Sequence, residues 1–231
     1  MIKAFKYRIY PNRSQEILFS KTFGCVRLIW NANVASFNSY DKEDNPKPSI
    51  IQKSDLIEDR PWLSEVSASA IQQKVADFKE TVKQYFSKNR GKKIGRPSFK
   101  KKGNTQSYRL PNQKFRIEGD RIRLEKIGWV KVVIDRNIPE NGKILSCTIS
   151  KNPANQYFVS ITVDCEITKK PKTGKEVGID LGIKEFATLS DGIVIDNPKY
   201  LRENQSKISR IQKYMSRKTK GSNRWHKNRL K

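Results

Sequence analysis

Between residues 157 and 167 the chain alternates without interruption. Tyr157, Val159, Ile161, Val163, Cys165 and Ile167 fall on one side, and Phe158, Ser160, Thr162, Asp164 and Glu166 on the other. A period of two over this length puts an apolar row on one face of a strand and excludes a helix. Such a strand needs neighbours, and the preceding residues supply them. Lys114-Phe115-Arg116-Ile117 and Arg121-Ile122-Arg123-Leu124 alternate about Glu118-Gly119-Asp120, which predicts a hairpin. Residues 129–134 and 144–150 continue the pattern, and residues 2–10 show it again before Pro11. Residues 105–168 therefore read as β, with residues 2–10 returning to complete a small antiparallel barrel.

The excursion between these parts is helical. Asn12 with Gln15 three residues on forms a capping-box start for a helix running toward Tyr40. Leu18, Thr22, Cys25 and Ile29, with Val26, Trp30 and Phe37, give it a wide buried face, on which Gly24 would admit another backbone. Arg27, beside that face, is not explained by packing alone. Residues 41–48 are polar and contain proline, as a loop would. A second helix begins after Pro61-Trp62-Leu63, with Ser67 or Ser69 as its cap. Ile71, Val75, Phe78, Val82 and Phe86 form one stripe at helical spacing, which is a core pattern.

Charge then narrows the partners. The formal net charge is +25, from 48 Lys+Arg against 23 Asp+Glu, and the pI is near 10.0. A chain this basic repels itself unless a polyanion neutralises it, and phosphate backbones are the commonest such partner. Residues 88–102 carry eight positive charges and no acid, punctuated by Gly and Pro, with Phe99 interleaved and Tyr108 following. This pattern suits a loop laid along phosphates with aromatics available to stack on bases. The candidate contacts are Arg27, Lys92, Lys93, Arg96, Lys100, Lys101, Lys102, Tyr108 and Arg109. No apolar run approaches the ~18 residues of a membrane span, and the first residues alternate as a strand would rather than as a charged-then-apolar leader, so neither a span nor a leader is expected. The expected location is cytoplasmic, associated with the nucleoid, with no membrane partner. Cys25, Cys147 and Cys165 are widely spaced within apolar patterns and read as reduced core residues. His226 is the only histidine, which argues against His-based catalysis or a His-rich metal site.

Residues 169–175, rich in Lys, Pro and Gly, read as a linker and a domain boundary. Val177-Gly178-Ile179-Asp180-Leu181-Gly182-Ile183 follows as one strand and residues 186–190 as a second. Asp191-Gly192 then turns the chain into residues 193–196. From about Leu201 it becomes helical and basic, with twelve Lys or Arg between 199 and 231 against the single acid Glu203. Ile208, Ile211 and Met215 are too thin a stripe for a buried helix. Its polar face is a candidate phosphate rail, carrying Arg210, Lys213, Arg217, Lys218 and Arg224. Asp180 stands in the middle of an apolar run, where an unpaired carboxylate is costly. It is open to two readings, a metal ligand at the catalytic edge of a sheet or a strand-end residue that pairs with a lysine or caps a backbone.

In this order the pieces resemble the N-terminal portion of the TnpB (OrfB) proteins encoded by insertion sequences, relatives of the type V CRISPR nucleases. The stretches that carry the resemblance begin with Lys6-Tyr7-Arg8-Ile9-Tyr10-Pro11 with Gln15 and Leu18, then Gly24-Cys25-Val26-Arg27 with Trp30-Asn31. Ile71-Gln72-Gln73 with Phe78 and Tyr85-Phe86, and Gly95-Arg96-Pro97-Ser98-Phe99-Lys100-Lys101-Lys102, come next. Gly178-Ile179-Asp180-Leu181-Gly182 and the basic residues 206–229 close the series. The resemblance implies an α+β fold, a wedge-type antiparallel β-barrel with an inserted helical recognition domain, followed by the beginning of an RNase H-like (RuvC) domain. The corresponding boundaries are 1–40 for the first barrel strand and start of the insert, 41–103 for the insert with its basic loop, 104–170 for the rest of the barrel, and 171–231 for the partial nuclease domain. It implies guide RNA and target DNA as partners, with base pairing reading the sequence. It makes Asp180 the first catalytic carboxylate and a ligand for Mg2+.

The same resemblance brings a departure. Two-metal nucleases need several carboxylates, and the family's other acids and its zinc-binding cysteine pairs lie beyond the basic helical region. The expectation is a truncated member with an incomplete magnesium site and no zinc site. Three functions remain open on the sequence: an RNA-guided DNA endonuclease, a non-cleaving RNA- and DNA-binding module, which is preferred for this chain, and the product of a decayed transposon reading frame.

Overall fold

The structure is a computed structural model that describes residues 1–40, 48–87, 95–166 and 173–229, apart from the side chain of His226. Lys92 and Lys93, much of the 88–102 basic run, and Ile167 with most of the 169–175 linker lie outside the described residues. The chain divides into two compact units, Met1–Ile167 and Thr168–Lys231.

The first unit opens with β1 (Ile2–Tyr10) and α1 (Arg13–Asn38). The capping box is present: the Gln15 amide donates to Asn12 Oδ1 at 2.9 Å and the Asn12 amide to Gln15 Oε1 at 3.0 Å. Two of the four orphan amides at the helix start are thereby satisfied. After α2 (Ser54–Ile57) comes α3 (Ala68–Phe86), capped by Ser67, whose hydroxyl accepts from the Ala70 amide at 3.1 Å. The strands follow: β2 (Gln106–Pro111), β3 (Phe115–Glu118), β4 (Arg121–Leu124), β5 (Gly128–Val133), β6 (Lys143–Lys151) and β7 (Tyr157–Asp164).

These strands form one seven-stranded antiparallel sheet in the order β2-β6-β7-β1-β5-β4-β3. Residues 2–10 do return, pairing β1 with β7 along eight positions and with β5 along three. The predicted hairpin closes at Glu118 opposite Arg121, with Gly119 at φ +52°. The edge strands β2 and β3 are consecutive in the chain, joined by the 3-10 turn Asn112–Lys114. Three linking residues reach at most about 15 Å, whereas a flat sheet of seven strands would be about 29 Å wide. The sheet must therefore curl until its two edges approach at that corner.

The inner face of the curl is the main core. Tyr7, Ile9, Tyr108, Leu110, Ile122, Val130, Cys147, Ile149, Tyr157, Val159, Ile161 and Val163 line it, and Phe19, Phe23 and Val26 of α1 plug it. The other sides of α1 pack on α3 through two further clusters. Cys25 and Ile29 meet Leu63, Val66, Ile71 and Val75, while Trp30, Val34 and Phe37 meet Phe78 and Val82. The α3 stripe is core as its spacing implies, except that Phe86 is half exposed. Gly24 corrects an expectation, because a Cβ there would meet nothing within 4 Å and no backbone approaches it. All three cysteines are free and buried, and burial pushes the Cys25 thiol up to about 11.

The second unit has β8 (Ile179–Asp180), β9 (Glu185–Leu189) and β10 (Val194–Asp196) in an antiparallel meander, then α4 (Tyr200–Ser216) and α5 (Asn223–Arg229). The Asp191-Gly192 turn is where the dipeptide put it, with Gly192 at φ +87°. The strand expected over 177–183 is only two residues long. Val177, Ile179, Leu181 and Ile183 are exposed, and Ala187 is the one buried apolar residue of the unit among those described. The apolar run therefore has no packing layer within the described residues, and Asp180 is not the buried charge that its neighbours suggest.

Candidate nucleic-acid interface

The candidate site begins with α1, whose Trp30 and Asn31 project toward the returning chain. Asn31 holds residue 100 by both backbone groups, accepting from the Lys100 amide at 2.8 Å and donating to the Lys100 carbonyl at 3.1 Å. The Trp30 indole N–H donates to the Ser98 carbonyl at 2.9 Å. One turn earlier, Arg27 donates to Gln106 Oε1 at 2.6 Å, and the Gln106 amide gathers the carbonyls of Lys101, Lys102 and Asn104. The basic segment is thus pinned to α1 by its backbone, which leaves the side chains of Phe99, Lys101 and Lys102 exposed.

The remaining cations have structural duties as well. The Lys100 ammonium sits 4.2 Å from the centroid of the Trp30 ring. Although the residue is exposed by area, partial desolvation of the ammonium, together with the nearby Lys74 charge, holds its pKa below the ordinary lysine value against the opposing pull of Asp77. Arg109 donates to Asp77 at 2.6 Å, and Arg96 lies 5.4 Å from the Phe37 ring. Tyr108 is a correction. Its ring is 1% exposed, packs edge-on against Phe23 at 5.5 Å and cannot stack on a base. Alternation along β2 puts it on the inner face with Leu110, while Arg109 points outward.

Sequence reasoning missed Lys74. It is 6% exposed, pairs with Asp77 at 3.1 Å and lies 5.9 Å from the Trp30 ring. The signal was present, since Lys74 stands three residues after Ile71 and four before Phe78, on the edge of the α3 stripe. A second cationic surface lies on the outer face of the sheet, where Lys6 and Arg8 sit over the Phe158 ring at 4.4 and 5.0 Å. In the second unit Arg210, Lys213, Arg217 and Arg224 are exposed on α4, α5 and their connection, and Lys218 is half-buried. Asp180 is exposed and stands opposite Thr188 of β9. Among the described residues no three His, Cys, Asp or Glu side chains group together as a metal site. No described helix is long and apolar enough to cross a membrane.

Fold and site together define a strongly basic α+β chain, built on a curled antiparallel sheet that carries a docked cationic segment. Comparison with known proteins gives its family. A family model for OrfB of IS605-type elements, described as "Probable transposase", matches residues 156–231, and a companion model described as "Helix-turn-helix domain" matches residues 1–41. A curated protein of Escherichia coli K12 named "Putative RNA-guided DNA endonuclease InsQ" is 30% identical over 100% of this chain and 58% of its own length. One of the same description from Streptomyces pristinaespiralis is 32% identical over 95% of this chain and 56% of its own. The chain belongs to the TnpB (OrfB) family of insertion-sequence proteins, and it spans a little over half the length of these curated relatives. A solved structure described as a Cas12f1-sgRNA-target DNA complex aligns with 99% of this chain and 73% of its own at 10% identity and a TM-score of 0.44. Residues 1–41 contain no helix-turn-helix among those described, since β1 and the single helix α1 fill nearly all of them.

Proposed function

We propose that this chain is the RNA- and DNA-binding portion of a TnpB-type RNA-guided DNA endonuclease, and that by itself it binds without cutting. The docked segment carries the reading. Trp30, Asn31 and Gln106 hold its backbone in place, so the exposed Phe99, Lys101 and Lys102 are presented to a strand from a backbone whose ordering entropy is already spent. The names of the curated relatives supply the partner class, a guide RNA and its DNA target. Unit 2 is read as the start of the RuvC-like domain, with Arg210, Lys213, Arg217, Lys218 and Arg224 along the nucleic acid. Asp180 is read as one ligand of a magnesium site. One exposed carboxylate suits an outer magnesium ligand, but the described residues do not form a two-metal site and no catalytic step is assigned to them.

Salt titration tests this reading. Removing one cation that neutralises a phosphate of a single strand lowers the slope of log K against log salt by about 0.7. Replacing Lys101 and Lys102 by Gln is expected to lower it by roughly 1.4, and an unchanged slope removes the docked segment from the interface. Cleavage of target plasmid by the chain with magnesium and guide RNA, abolished by Asp180→Ala, would overturn the non-cleaving half of the proposal.

A further inference from the structure

We propose that the cleft between α1, α3 and residues 98–107 is a seat for one phosphate group of a polynucleotide, with Lys74 as its buried cation. The proposal rests on the nucleic-acid-binding reading above and places one specific contact within it. The cleft has a volume of about 260 Å³, with Arg27, Lys74, Lys100 and Lys101 on its walls and Ser98 and Ser107 among its lining residues. The space exceeds what a single water needs, about 10–15 Å³, and is large enough to admit a phosphate group.

The charges around it do not balance. Lysine is almost never buried unless it is paired, and Lys74 has Asp77 at 3.1 Å. That carboxylate is shared, because Arg109 takes its other oxygen at 2.6 Å. Lys100 approaches the same Trp30 ring as Lys74, and Arg27 spends its hydrogen bond on the neutral Gln106. Four cations, Arg27, Lys74, Lys100 and Lys101, thus line the cleft with no carboxylate among its described lining residues, and a concave site of one sign of charge focuses positive potential. Lys100 keeps an exposed side chain, and the partial desolvation of its ammonium, with the Lys74 charge second, lowers its pKa. A seated anion would offset that like charge. Lysine ammoniums, as compact point charges, and neighbouring serines suit a phosphate. Phe99, 53% exposed beside them, offers a face for an adjoining base and so selects a nucleotide over an acidic peptide.

The test uses the full chain and four probes: a single-stranded oligonucleotide with a 5′-hydroxyl, the same strand with a 5′-phosphate, inorganic phosphate, and a polyglutamate peptide. Lys74→Met keeps the stem that packs in α3 and removes the charge. It is expected to weaken oligonucleotide binding about tenfold, as removal of one charged hydrogen bond would, and to lower the salt slope by about 0.7. Inorganic phosphate should raise the melting temperature of the wild type and not that of Lys74→Met, while Lys74→Arg should keep both behaviours. Tighter, Lys74-dependent binding of the 5′-phosphorylated strand assigns the seat to a strand end, and equal binding of the two strands assigns it to an internal phosphodiester. Wild-type affinity and slope in a folded Lys74→Met protein overturn the seat, and Lys74-dependent competition by polyglutamate overturns its assignment to phosphate. Should Lys74→Met not fold, Lys100→Met is read by the same criteria. A seat overturned while the Lys101/Lys102 double variant still shows a reduced slope leaves the nucleic-acid-binding reading standing. Absence of any oligonucleotide binding by the wild type removes both.

Discussion

Replacing Trp30 with Phe should loosen the basic segment without releasing it. Residue 100 and its neighbours are held by the indole bond to Ser98, the two bonds between Asn31 and the Lys100 backbone, and the Lys100 ammonium over the Trp30 ring. At about 1 kcal/mol for the part-buried bond, about 0.5 for each exposed one, and roughly 0.5–1 for the cation–π interaction, the docking of residues 98–100 on α1 is worth about 3 kcal/mol, apart from the Gln106 contacts to residues 101–104. Trp30→Phe deletes the indole bond and most of the cation–π attraction, roughly 1.5–2 kcal/mol. Exchange of the Lys100 amide, which donates to Asn31, should then quicken about 10- to 30-fold. The docked fraction falls only from about 0.99 to about 0.9, so affinity for nucleic acid should hardly change. Adding Asn31→Ala takes most of what remains and should lower affinity measurably. Lys100 exchange within threefold of wild type in Trp30→Phe, in a variant whose urea midpoint has dropped through weaker packing on Phe78, would refute the docking argument.

Other outcomes follow from single side chains. Asn33 is fully buried and binds the Ile51 backbone at both its N–H and C=O, at 2.9 and 2.8 Å. Asn33→Ala leaves both groups without that partner and should cost about 3 kcal/mol in urea denaturation, and a change under about 1 kcal/mol would contradict the assignment. The Tyr108 hydroxyl is buried without a hydrogen-bond partner among the described residues, so Tyr108→Phe should be neutral or up to about 1 kcal/mol stabilising, with nucleic-acid binding unchanged. Burial raises the Tyr108 pKa well above its ordinary 10.0. The unfolded chain therefore releases that proton first, and stability falls as pH rises past about 10. Tyr108→Phe should flatten that alkaline limb, which a pH series of melting curves will show. With its pKa at about 11 and its side chain buried, Cys25 should resist alkylation at about pH 8 until the protein is unfolded.

Local order was legible in the chain because its physical causes are local. The period-two run of β7, the 3.6-residue stripe of α3, the capping residues Asn12 and Ser67 and the turns at Gly119 and Gly192 each depend on neighbours within a few residues. The basic composition and the ordered motifs likewise point to the family without the fold. Tertiary structure decided what those residues face. Tyr108 is core rather than a stacking platform because Phe19 and Phe23, some ninety residues earlier, close over it. Lys74 and Arg109 share Asp77 because α3 packs against β2. The apolar run around Asp180 reads as a buried strand, yet it is exposed because burial is a property of the layer laid against a segment and not of the segment itself. Hydrophobic pattern sets which side of an element seeks cover, and only the long-range packing determines whether cover is there.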